Sequence, residues 1–224
     1  MHETLPEGVL YGGIDPSGSS TRPSGLAILD GKLHVLHAGL CQTDEEIVEF
    51  FTPHRLSLFA VGLDGPCALP IGLSECCFTD PPTCAHDQPH GRKGRFCELE
   101  LARRGIGCFF TVKNSFAKAW VLRSLRLYRQ LCAVGLRVVE IYPYATKRLL
   151  LGAQLPAKQT RRGRLYLGQM LSRLGISVPE DLSHHELDAI VAAYTVYLLA
   201  RDLAEMVGDE AEGYIVIPKR GAQL

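Results

Sequence analysis

Residues 186–200, ELDAIVAAYTVYLLA, are apolar on almost every side of a helix. A helix without a polar face has to be buried. Ser183, with Glu186 three residues later, makes a capping box that starts it, and the pattern predicts that it continues to about Met206. Asp188 falls in its second turn, beyond what the cap needs. A carboxylate in a buried helix is costly unless it is paired or bound to metal. His184 and His185 lie within reach of the same side, so a purely structural Asp–His hydrogen bond is the plain alternative.

Other acids stand in comparable places. The apolar run at 9–15 ends in Asp15, the run LSLFAVGLD at 56–64 ends in Asp64, and LRVVEIYP at 136–143 carries Glu140 near its end. Strand ends at one edge of a sheet are where side chains from different strands meet. Between the first two runs, segments 24–29 and 32–38 flank Asp30-Gly31, a tight-hairpin signal. Thr43 with Glu46 then starts a helix. Strand, hairpin, helix and strand in this order suit a mixed α/β sheet with a helix crossing one face. Further helices are expected at 95–104, at 115–134 with Asn114 as cap, and at 157–174.

The chain of 224 residues suits a single domain over 1–224. Residues 65–94 form an irregular Cys/His-rich insertion within it, rich in Pro and Gly. A stretch this long without period is functional or held by something else. It offers Cys76 or Cys77, then Cys84, His86 and His90, as zinc ligands, although the spacing matches no standard finger. With no basic-then-apolar leader, reduced thiols or metal ligands are expected rather than disulfides. Cys97 lacks an assigned base and is not expected to be a nucleophile. No apolar run reaches membrane-spanning length, so a cytoplasmic protein without membrane partners is the expectation.

The net charge is zero, yet residues 92–173 hold 18 of the 24 basic residues and three acids. That segment is +15 and the remainder −15. Such asymmetry points to a polyanionic partner, nucleic acid in the first place. The bland alternative is neutralisation by the acidic remainder on folding. Lys118, Arg123, Arg126 and Arg129 form one stripe of the 115–134 helix, suited to a phosphate backbone or simply to water. Arg161 and Arg162 are similar, and Arg92, Lys93 and Arg95 are expected nearer the acids. The loop PSGSSTRPSG after Asp15 has small residues that admit a phosphate or make a polar hairpin loop. Gly13 and Ser17 are expected to shape it.

Clustered carboxylates persist together when a cation neutralises them. Oxygen ligands suit Mg²⁺ or Mn²⁺, and a pair of such ions stabilises both oxygens of a phosphodiester displacement. The motifs GIDPSG, GLDGP, GRFCE (94–98), EIYP (140–143) and ELDAIVAA, in this order over residues 10–200, resemble the predicted-nuclease family called domain of unknown function 429. They are more distantly similar to RuvC-type Holliday-junction resolvases. That resemblance implies a ribonuclease-H-like mixed sheet, with its first strands antiparallel and later ones parallel, flanked by helices. It further implies a metal-dependent nuclease with Asp15, Asp64 and Asp188 as metal ligands and Glu140 as a fourth acid. His185 or Glu140 would orient water, and homodimerisation follows by analogy with resolvases. The resolvases usually carry Glu at the Asp64 position, which reaches further. The alternative is a non-catalytic nucleic-acid-binding or scaffold protein that kept the fold. An actin-like ATPase shares the opening motif but needs two such halves.

Overall fold

The computed structural model describes residues 8–19, 21–82, 84–113, 115–152 and 155–222. Seven strands form one sheet: β1 Leu10–Asp15, β2 Ser24–Leu29, β3 Val35–Cys41, β4 Leu58–Asp64, β5 Val138–Ile141, β6 Ala204–Asp209 and β7 Gly213–Pro218. Their order is β3-β2-β1-β4-β5-β7-β6. β1, β2 and β3 form an antiparallel meander, whereas β4 and β5 run parallel to β1 and β7 parallel to β5. An antiparallel β6–β7 hairpin closes the far edge. The core order β3-β2-β1-β4-β5 is the ribonuclease-H-like arrangement, in agreement with the expectation.

The helices are α1 Asp44–Phe51, α2 Phe96–Arg103, α3 Lys118–Ala133, α4 Pro143–Leu151, α5 Arg161–Arg173 and α6 His184–Ala200. Capping boxes at Thr43–Glu46 and Ser183–Glu186 start α1 and α6. Asn114 lies outside the described residues. α6 packs across one sheet face with α5 beyond it, in a cluster that includes Tyr11, Ala27, Ile141, Leu167 and Ile190. The opposite face meets α1 and α3 through Ile14, Leu26, Ile47, Phe51, Val61, Leu63, Leu127 and Leu131.

Two strand glycines bring α6 onto the sheet. A Cβ on Gly13 would lie 2.0 Å from the Ala189 carbonyl oxygen, and one on Gly25 would lie 2.1 Å from that of His185. Helix backbone therefore rests directly on these positions. Gly13 serves this approach, rather than shaping the loop after Asp15.

Three local expectations are corrected. The hairpin turn is longer than Asp30-Gly31: Asp30 accepts from the amides of Lys32 and His34, and β3 begins only at Val35. α6 stops at Ala200, and Met206 lies in β6, because Asp202 adopts a left-handed conformation (φ 58°) that ends the helix. Pro143 does not merely end a strand. It occupies the first turn of α4, where its missing N–H has no cost. The 65–94 segment is irregular, as expected: its described residues hold two short 3₁₀ turns, Glu75–Phe78 and Pro89–Gly91, and no strand or α-helix. Among the described residues no helix is long and apolar enough to cross a membrane.

Candidate metal-binding active site

Side chains alternate across a strand, so the face reached by each acid follows from its neighbours. On β1, Tyr11 and Gly13 face α6, hence Asp15 does too. On β4, Ala60 and Gly62 face α6, hence so does Asp64. α6 supplies Asp188 from above, 1 % exposed. These three carboxylates border one cavity of about 520 Å³ together with His185, Lys147 and Lys158. Its remaining wall is largely aromatic: Phe109, Phe116, Trp120, Tyr142 and Tyr144.

Each acid has a different environment. His185 Nδ1 lies 2.6 Å from Asp15 Oδ2, so the histidine serves Asp15 rather than Asp188. Lys147 donates to Asp188 Oδ1 and Lys158 to Oδ2, both at 2.6 Å. Burial works against the Asp188 charge, but the two ammonium groups outweigh it and hold the carboxyl below the usual range. Lys158 responds reciprocally: burial opposes its charge, and Asp188, Asp15 and Asp64 together keep its ammonium above the usual lysine range. Asp64 is the exception. Burial first, then the charges of Asp15 and Asp188, push its pKa well above the ordinary value, with only Lys158 opposing. Among the described residues no basic side chain lies within ion-pair distance of Asp64.

Glu140 does not join them. Register pairs Leu63 with Glu140 and Asp64 with Ile141. Glu140 therefore shares the Leu63 face, with Val138, on the side of the sheet away from α6. There Arg95, itself 2 % exposed, grips both oxygens at 2.7 and 2.5 Å and also bonds Glu98. A narrow space of about 40 Å³ at the strand ends touches both Asp64 and Glu140. The expected fourth acid is thus an internal anchor, and Arg95 is a buried counter-ion rather than a phosphate contact.

Most other basic candidates have internal partners. Arg92 pairs with Glu212, Arg129 with Glu75, Lys118 with Asp80 at 2.8 Å and Arg126 with Asp44 at 3.8 Å. Arg123 is buried. It bonds Asp44, the Ser17 carbonyl and hydroxyl, and the Ser24 hydroxyl, fixing the loop after Asp15. Much of the charge asymmetry is consumed by folding. Lys93, Arg161 and Arg162 are exposed. Burial pushes the Cys97 thiol up to about 12, which keeps it a thiol.

Carboxylate oxygens suit a hard divalent ion, and Asp64, lacking a basic partner, is where such an ion relieves the greatest strain. A separate set of ligand atoms, from Cys76, Cys77, Cys84 and His86, lies within 4.8 Å of one another. Sequence reasoning missed Lys147, Lys158 and the aromatic wall; their only signal was membership in the basic segment and in the EIYP motif.

No family model matches the chain, and no curated protein matches it. Among solved structures it is similar to Thermus thermophilus RuvC, at 17 % identity and a TM-score of 0.41, over 87 % of this chain and 95 % of that one. The ribonuclease-H-like assignment rests on the strand order of this chain itself.

Proposed function

We propose that this chain is a divalent-metal-dependent phosphodiesterase acting on nucleic acid, with Asp15, Asp64 and Asp188 holding Mg²⁺ or Mn²⁺. The observation that carries the reading is that three acids face one cavity while, among the described residues, Asp64 has no basic side chain within ion-pair distance. A pair of ions held among these acids would suit the displacement at a phosphodiester. Bound ions of this kind supply Lewis acidity and an acidified water.

The chain's own residues do the rest. Asp15 orients His185 through Nδ1, leaving the other ring nitrogen to take and return a proton in the cavity. Lys147 and Lys158 set two ammonium groups beside Asp188, where they favour phosphate oxygens. Phe116, 83 % exposed, stands edge-on to Phe109 at a centroid distance of 5.3 Å on the cavity wall. Exposed aromatics of this kind stack unpaired bases, which favours single-stranded or locally opened substrates.

A second reading has its own support. The two lysines satisfy Asp188 without any ion, which suits a binding protein that kept the fold and lost turnover. The test is cleavage of labelled single-stranded, duplex and branched DNA and RNA with Mg²⁺ or Mn²⁺. Cleavage by the wild type, falling on the order of 100-fold or more in Asp15→Asn, supports the nuclease. Binding without cleavage of any form puts the second reading in its place.

A further inference from the structure

The segment between β4 and α2 has almost no regular secondary structure, yet Cys77 and Phe78 are fully buried there. Its small core joins Cys77 and Phe78 to Val121 and Leu125 of α3, with Cys76, Cys84 and Trp120 packed around them. A loop of this length without its own ladder needs another fastening. Three thiols and an imidazole converge at that point. One ligand atom from each of Cys76, Cys77, Cys84 and His86 lies within 4.8 Å of all the others.

We propose that Cys76, Cys77, Cys84 and His86 form a closed Cys₃His zinc site that fastens this segment to α3. The closest approaches are Cys77 Sγ to Cys84 Sγ and Cys76 Sγ to His86 Nδ1, both 3.4 Å. Zn–S bonds of about 2.3 Å and Zn–N bonds of about 2.05 Å give tetrahedron edges of about 3.8 Å between sulfurs and about 3.6 Å between sulfur and nitrogen. Both contacts are therefore within a few tenths of an ångström of the required edges. A Cys77–Cys84 disulfide would need about 2.05 Å, so the thiols are separate, as all eight cysteines are.

The surroundings suit thiolate ligands. The Ser74 amide donates to Cys77 Sγ at 3.5 Å, and the Ser74 hydroxyl lies 3.0 Å from Cys76 Sγ. Lys113 Nζ donates to the carbonyls of Cys84 and His86, each at 2.8 Å. It thereby fixes the backbone of two ligands and sets a cation beside a site that carries net negative charge when filled. Three thiolates and one imidazole select zinc over Mg²⁺ or Mn²⁺, and four protein ligands leave no open position, the mark of a structural site. Of the sequence-based set, both Cys76 and Cys77 join Cys84 and His86; the His90 side chain lies outside the described residues. The consequence reaches the acidic cavity, because Trp120 packs on this core and also lines that cavity.

The test uses the full chain purified with reductant, its metal content measured, and zinc then exchanged for Co²⁺. One zinc per chain is expected in the wild type and in Cys41→Ser and Cys132→Ser, with the zinc lost in Cys84→Ser and held less tightly in His86→Asn. The cobalt form should show thiolate charge-transfer absorption and the strong visible bands of a tetrahedral ion. Should Cys84→Ser fail to fold, the wild-type cobalt spectrum decides. Absence of thiolate bands, a Cys77–Cys84 disulfide in the reduced preparation, or zinc that leaves with Asp64→Asn and stays in Cys84→Ser would each overturn the site. None of these outcomes depends on the nuclease reading.

Discussion

Asp64 and Asp188 share a cavity and titrate in opposite senses. Asp188 ionises more readily in the folded chain than in the unfolded one because Lys147 and Lys158 hold it. Its contribution is present above the unfolded carboxylate value of about 3.9 and fades as pH falls through the lower folded value. Asp64 binds its proton more tightly when folded, so the metal-free protein loses stability as pH rises from about 3.9 through that raised value. Asp64→Asn should therefore raise the Tm of the metal-free protein at pH 7 and flatten the loss between acid and neutral pH. Thermal melts in chelator across that range check this; a lowered Tm would contradict it. Lys147→Met has the reverse effect. It strands a buried carboxylate with one fewer cation and should cost about 3–5 kcal/mol in denaturant unfolding.

At the scale of elements, the site depends on α6 lying against β1 and β2. Gly13→Ala should cost at least about 1–3 kcal/mol, because backbone must shift, and Asp188 should move away from Asp15 with it. The sequence made β1, β4 and α6 legible: an apolar run ending in an acid and an apolar helix containing one are both costly unless used. Glu140 showed the same signature and misled. In a strand one position changes the face, and nothing in EIYP states the register against β4. α4 was hidden because Pro143 reads equally as a stop or as a first helical residue. The β6–β7 hairpin was hidden behind the apolar momentum of α6. Lys147 and Lys158 were indistinguishable from other basic residues until α4 and the segment before α5 were placed over Asp188.

For the whole molecule, the +15 and −15 segments fold into one another: Arg104 pairs with Glu205, Arg92 with Glu212, and Lys147 and Lys158 with Asp188. Of the candidate basic residues, Lys93, Arg161 and Arg162 are exposed, so the salt dependence of nucleic-acid affinity should have a slope corresponding to about two to four neutralised phosphates. Stacking then carries more of the binding, and Phe116→Ala should weaken single-strand binding by about 1–3 kcal/mol while leaving duplex binding nearly unchanged. Fluorescence titrations at several salt concentrations measure both quantities. A steep slope with no effect of Phe116→Ala would place the interface elsewhere.

The central claim is that Asp15, Asp64 and Asp188 together hold a divalent ion. Calorimetric titration of Mn²⁺ into the wild type, Asp64→Asn and Glu140→Gln tests it most directly, because the two variants each remove one carboxylate charge from opposite faces of the same sheet. The account predicts that wild type and Glu140→Gln take up Mn²⁺ alike and that Asp64→Asn does not. Mn²⁺ binding that survives in Asp64→Asn, or its absence from the wild type, would contradict it.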